Sequence, residues 1–242
     1  MVAVRAGRPL TVDDAGTVAP GECEVEAGVA FDQNNGDRHW DFPAGVTVGI
    51  LPTLDLTVMH GFQTGEHELF DGSWDTKTGH NDVVLGVKWN PLSEERFRLA
   101  QSLAFSIKLP TACEGYGNGE TDYDLTYIVS RTVCESWSAH LNSGYTWVGD
   151  SSHDDLFHCG AAVGWLAIER IELVSELFAE IPVTDCGQAT LMINGGIRWV
   201  LCEGVILDAA AGTDLRQSEP DWTATIGLTW TFGLWKRKSP ES

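Results

Sequence analysis

The sequence predicts an all-β fold: a twelve-stranded antiparallel up-and-down transmembrane β-barrel. Three observations predict it. Apolar and polar residues alternate with period two along most of the 242-residue chain, and successive side chains of a strand point to opposite faces. The connections between the alternating runs are short and long in strict turn. Tryptophans collect near the ends of the apolar rows and avoid their centres.

The runs lie near 22–31, 40–51, 53–63, 80–90, 96–109, 120–131, 135–148, 155–167, 171–181, 189–201, 204–213 and 222–232. The last shows the pattern most plainly. Trp222, Ala224, Ile226, Leu228, Trp230 and Phe232 alternate with Thr223, Thr225, Gly227, Thr229 and Thr231. Short connections fall at 51–54, 90–96, 131–135, 167–170 and 201–204, and longer Gly- and Asp-rich ones at 32–39, 64–79, 110–119, 149–154, 182–188 and 214–221. Strict alternation gathers the short turns at one end, the arrangement of outer-membrane barrels with short periplasmic turns and longer outer loops. With an even strand count both termini fall at that same end. The organisation expected is an N-terminal periplasmic segment at 1–21, a barrel at 22–233 and a polar C-terminal tail at 234–242.

One face of the strands is apolar, with rows such as Val25, Ala27, Val29, Phe31 and Leu103, Phe105, Ile107, Leu109. The other carries Glu24, Glu26, Asp41, Asp55, Asp82, Asp122, Asp124, Glu172, Glu176, Glu180 and Asp208 against Lys88, Arg96, Arg98, Lys108 and Arg198, with His140 and many small residues between them. Alternation alone leaves inside and outside open, since a soluble lipocalin-like barrel would turn the apolar row inward. Twelve strands, however, enclose more volume than side chains fill. Trp89, Trp137, Trp165, Trp199 and Trp230 fall near the short-turn end, and Trp40, Trp147 and Trp222 near the long-loop end. Two aromatic belts bounding an apolar band are what indole rings form at lipid–water interfaces. The apolar face is therefore assigned to lipid, and the charged residues and His140 to the lumen.

Composition narrows the function. A net charge of −20 argues against nucleic acid, which selects for Lys and Arg patches. No run of 18 apolar residues is present, so a transmembrane helix is excluded while a barrel is not. "MVAVRAGRPL" lacks the apolar core of a signal peptide. Six cysteines show no metal spacing. Cys113 and Cys186, in loops on one side of the barrel, are the pair a disulfide would join.

Several stretches resemble the outer-membrane, transporter-like family named after the MetA pathway of phenol degradation. "GRPLTVDDAGTVAPGECEVEAGVAF" is similar to that family's mature N-terminal segment, with Arg8, Pro9, Leu10, Asp13, Asp14, Thr17 and Gly21 at its positions. "DVVLGVKWNPL" (82–92), "SLAFSIKLPTA" (102–112), "LNSGYTWVGD" (141–150) and "DWTATIGLTWTFG" (221–233) resemble later signatures in the same order. The resemblance runs from about residue 8 to 233. It implies an outer-membrane barrel that passes small molecules, hydrophobic or aromatic ones among them. The chain departs from the pattern in its six cysteines and in "GLWKRKSPES", which follows the aromatic Phe232 where family members commonly end.

Geometry limits the chemistry these residues can perform. Glu172, Glu176 and Glu180 share the polar face of one strand, ~13 Å apart per pair at ~3.3 Å per residue. That is too far for one metal or for a glycosidase pair, and leaves a solvated acidic wall faced by Arg198 or a column favouring cations. "AHLNSGY" (139–145) invites comparison with the outer-membrane phospholipase, another twelve-stranded barrel. His140 and Asn142 share a face, but Ser143 points away from them, so the nucleophile–base contact fails. "HDDLFH" (153–158) and "GHND" (79–82) could hold a divalent cation, though loop solvation accounts for them more simply. "GYGNGE" (115–120) has no helix after it. No catalytic residue, metal site or cofactor is assigned.

The function expected is a narrow, passive channel or transporter for small molecules in the outer membrane of a diderm bacterium. Its acidic lumen would be gated by the long loops 64–79 and 110–119. Its partners would be the lipid bilayer, the outer-membrane assembly machinery and small solutes. A structural or adhesive barrel with a closed lumen, and a soluble ligand-binding barrel, are the alternatives.

Overall fold

The computed structural model describes residues 7–68, 73–184, 188–216 and 220–234. The strands are β1 (Glu22–Asn34), β2 (Asp37–Leu51), β3 (Leu54–Glu68), β4 (Trp74–His80), β5 (Val83–Leu92), β6 (Ala100–Leu109), β7 (Asp122–Cys134), β8 (Trp137–Trp147), β9 (Leu156–Ile168), β10 (Ile171–Pro182), β11 (Thr190–Cys202), β12 (Val205–Asp214) and β13 (Trp222–Gly233), with one helical turn, α1 (Glu94–Phe97). Consecutive strands pair antiparallel except β4 and β5, which both pair with β3, and β1 pairs with β13 along Glu22↔Gly233 to Gln33↔Trp222. Twelve strands thus close a barrel, and β4 stands outside the ring.

Two stretches differ from the sequence expectation. The described residues of the loop expected at 64–79 are mostly strand: β3 continues to Glu68 and β4 returns beside it, pairing Phe62↔His80 through Glu68↔Trp74. The hairpin is polar, braced by the Thr64–Thr78 hydroxyl pair at 3.0 Å and by Arg38 over the Trp74 ring. The strand expected at 96–109 starts only at Ala100. Glu94 and Glu95 open a helical turn instead, and Arg98 ends it in the left-handed region at φ 62°.

Burial is inverted relative to a water-soluble protein, in which charged residues are almost never fully buried. Asp55 and Glu176 are 1% and 3% exposed, whereas Val58 and Ile226 are 50% and 59% exposed. An apolar row this open suits lipid, and the soluble alternative would need it covered. All eight belt tryptophans are exposed on the outside. Trp137 stacks on its register partner Trp165 at 5.8 Å, and Phe31 sits between Trp40 and Trp222 at 4.6 and 5.0 Å.

Folding should therefore depend on an apolar solvent for the outer face. Refolding from urea is expected to give a heat-modifiable gel band only when detergent micelles are present. A compact monomer in plain buffer would place the apolar rows in a core and overturn the assignment.

Candidate functional site

The lumen is not empty. Residues 7–20 of the segment expected in the periplasm run along the inner wall, and two of them, Ala15 at 0% and Val12 at 3%, are among the least exposed apolar residues of the chain. The route starts at the short-turn end, where Pro20 bridges Gly49. The Val18 amide donates to Asp55 Oδ2 at 3.1 Å on β3. The Ala15 amide donates to Ser130 Oγ at 2.8 Å, and its carbonyl accepts from Ser102 Oγ at 2.6 Å and from Asn90 Nδ2. Asp13 and Asn142 exchange two bonds at 2.7 and 2.9 Å. The Thr11 and Val12 amides donate to the two oxygens of Glu176 at 3.0 and 2.7 Å. Arg198 Nε and Nη2 donate to the Arg8 and Gly7 carbonyls at 2.7 and 3.2 Å. Arg8 then reaches Thr225 Oγ1 at 2.8 Å and Asp208 at 3.5 Å.

The physical reason for the correction is that irregular backbone at membrane depth survives only where its polar groups are met inside the protein. The acids of the polar face supply those partners. Its small residues supply the room: a methyl group at Gly28 or Gly227, register partners on β1 and β13, would overlap the Arg8 guanidinium, and one at Gly49 would strike the Val18 and Ala19 carbonyls.

The remaining lumen residues fall into two groups. Near the segment, Lys88 Nζ lies 2.7 Å from Asp13 Oδ2 and donates to the Asp14 carbonyl at 3.2 Å. Glu172 holds Arg198 at 3.1 Å, and Asn194 donates to Glu176 at 2.7 Å. His140 Nδ1 lies 2.8 Å from Ser130 Oγ. Glu24 and Glu26 accept from Thr231 and Thr229 at 3.1 and 3.4 Å. Toward the long loops, Lys108 links Asp122 and Asp82 at 2.5 and 3.5 Å, and Asp82 Oδ1 accepts the Thr111 and Ala112 amides at 2.7 Å. Asp124 lies 2.8 Å from His158 Nε2, and Asp41 accepts from Asn81 at 2.8 Å. Loop 110–121 folds against the inner face of the β3–β4 hairpin, where Gln63 Nε2 donates to the Tyr116 carbonyl at 3.2 Å.

Arg96 and Arg98, expected in the lumen, are exposed in and after α1 at the short-turn rim. They sit on a helical turn, so strand alternation does not apply to them. Of Cys113 and Cys186, the second lies outside the described residues, as does the tail beyond Leu234. Among the described residues, Glu180 makes no hydrogen bond or ion pair and looks into free lumen space. The docking role of the N-terminal segment was missed from sequence, although Gly28, Gly49 and Gly227 on the polar face were a signal that something approaches the wall closely.

Two cavities flank the segment. The larger, about 890 Å³, is lined by Glu24, Glu26, Asp55, Leu10, Met59 and Val84, and reaches the short-turn rim at Glu22 and Glu203. The smaller, about 430 Å³, lies on the long-loop side with Pro9 and Thr11 in its lining. Thr11 lines both, so the stretch Arg8–Thr11 is the partition between them.

Glu176→Ala removes the acceptor of two segment amides. At ~1.5–3 kcal/mol per hydrogen bond to a charged group, local docking should weaken by about 3 kcal/mol. Amide exchange at Thr11 and Val12 is then expected to rise roughly 100-fold while the strand amides of β8 stay protected. Loss of hydration raises the Asp14 carboxyl, but Lys88, the Gly16 amide, His140 and Arg198 outweigh it and hold it below the ordinary carboxylate range. A depressed value stabilises the docked segment above the undocked pKa of ~3.9, and the gain is lost only as pH falls through the lower docked value. Exchange at these amides, after correction for intrinsic rates, should thus rise as pH falls below about 4.

Comparison with known proteins agrees with this geometry. The barrel is similar to the COG4313 outer membrane channel from Pseudomonas putida F1, at 12% identity and a TM-score of 0.72 over 92% of this chain and 100% of that one. It is also similar to the KdgM porin, at 7% identity and a TM-score of 0.62 over 86% and 99%. The CymD monoaromatic hydrocarbon channel gives 8% identity and a TM-score of 0.51 over 89% of each chain. Likeness at these identities shows the fold. No curated protein matches the sequence. A family profile described as "Putative MetA-pathway of phenol degradation" matches residues 6–232. With nearly its whole length matched, the chain belongs to that family.

Proposed function

We propose that the barrel lies in the outer membrane of a diderm bacterium and passes small molecules by passive diffusion, with residues 7–20 as its constriction. One observation carries this: cavities of about 890 and 430 Å³ lie toward the short-turn and long-loop sides, and the Arg8–Thr11 stretch lines both. The outer loops named from sequence play a lesser part, because one is a β hairpin and the other packs against the wall. Channels and porins among the similar structures support the reading, and the monoaromatic hydrocarbon channel together with the family's description favours small aromatic solutes.

No catalytic step is assigned. Ser130 and His140 face each other, but Ser130 is buried, with its Oγ accepting the Ala15 amide of the N-terminal segment. The partners proposed are the bilayer, the outer-membrane assembly machinery and solutes, and not nucleic acid, which the −20 charge repels. A closed, structural barrel is the second reading, favoured by the snug fit of the segment.

Deleting residues 7–18 should raise single-channel conductance several-fold over the full chain. Absence of current in both forms would favour the closed barrel. The lumen acids outnumber Arg8, Lys88, Lys108 and Arg198, and each of those bases is already ion-paired. Reversal potentials in a salt gradient should therefore show cation preference, shrinking at high salt as screening shortens. Anion preference would overturn the electrostatic account.

A further inference from the structure

The smaller cavity has a lining that passive conduction does not require. At about 430 Å³ it falls within the range of small-molecule sites. Its wall combines the Phe178 ring, the Met192 thioether and Pro9 with the carboxylates of Asp32 and Glu180. Phe178 and Met192 are register partners on β10 and β11, and Glu180 lies two residues from Phe178 on the same face. Asp32 stands on β1, on the far side of β11, β12 and β13.

We propose that this cavity is a binding site for small organic cations, in particular protonated arylalkylamines. The proposal rests on reading the lumen as a solute path open from the long-loop side, and it names the chemistry selected there. Elsewhere in the lumen Asp13, Asp82, Asp122, Glu172 and Asp208 each have a Lys or Arg nitrogen within 3.5 Å. Asp32 and Glu180 have none, and neither carboxylate makes a hydrogen bond among the described residues. No Lys or Arg contributes to the cavity lining. By register each carboxylate has a histidine beside it and no Lys or Arg: Glu180 pairs with His158, which is already held by Asp124 at 2.8 Å, and Asp32 pairs with His39 on β2.

The two carboxylates therefore lack a counter-charge that a ligand can supply. An ammonium group at Glu180 meets the adjacent Phe178 ring, whose quadrupole attracts cations, while Asp32 on another part of the cavity wall adds negative potential. The ligand's apolar body packs on Met192, a thioether that adapts to irregular shapes, and on Pro9. An anion of the same size faces two like charges. A neutral analogue gains the apolar contacts alone.

The test is calorimetric titration of the detergent-folded full chain with benzylammonium, benzyl alcohol and benzoate, three probes alike in size and different in charge. Benzylammonium should bind at least tenfold more tightly than benzyl alcohol, and benzoate should not bind. The double variant Asp32→Asn, Glu180→Gln should lose that preference while keeping its heat-modifiable band. The variant Glu24→Gln, Glu26→Gln, which alters the larger cavity, should keep it. Equal binding of amine and alcohol, no binding of any probe, or a preference that survives in Asp32→Asn, Glu180→Gln would overturn the proposal. Bilayer currents recorded in parallel separate the two ideas: selective binding without current leaves the site standing and removes the channel, while current without selective binding does the reverse.

Discussion

Everything in this lumen follows from one constraint: a peptide without secondary structure, held at membrane depth, needs a partner for each backbone amide and carbonyl. Residues 7–18 meet much of that need by borrowing side chains from the wall in sequence order, Asp55, Ser130 with Ser102, Asn142, Glu176 and then Arg198. The carboxylates therefore serve first as acceptors for amides and only second as fixed charge. Glu176 accepts from Thr11, Val12 and Asn194 at once, which is close to the full capacity of one carboxylate.

The same constraint explains the composition of the polar face. An acid in a confined lumen is tolerable when a base or an amide meets it, and most of them here have one. Glycines occur where the segment or its guanidinium comes closest, since any side chain at Gly28, Gly227 or Gly49 would displace it. The outer face obeys a simpler rule, with mostly apolar residues, interrupted at His60 and Gln101, and indoles at the rims. Two chemistries thus alternate along every strand, one fitted to lipid and one to a particular peptide.

That division also sets what the sequence could disclose. Strand positions, the lipid-facing rows and both tryptophan belts are local, period-two properties, so they were legible to within a few residues. The polar β3–β4 hairpin was not, because "TGEHE" and "DTKTG" lack the apolar row by which a strand is recognised. Arg96 and Arg98 were misplaced because a single helical turn interrupts the alternation that located the rest. The N-terminal segment was the hardest to see. Its conformation has no period of its own and is dictated by residues as far away as Thr225, 217 positions from Arg8. Individual acids such as Glu176 and Asp208 could be placed in the lumen from sequence, but not what they would hold there.

The seat of Arg8 has a consequence for assembly. Its guanidinium lies over Gly28 and Gly227, one on each side of the seam where β1 meets β13, and that seam joins the two ends of the barrel chain. Of all the pairings in the ring it is the one with the longest intervening loop, and so the costliest to form first. A side chain that touches both lips of the seam works as a clasp: fastening it and zipping the final pair of strands become a single step. The wall is then wrapped around its own occupant, so the plug is fitted as the barrel closes and need not be threaded through a finished pore.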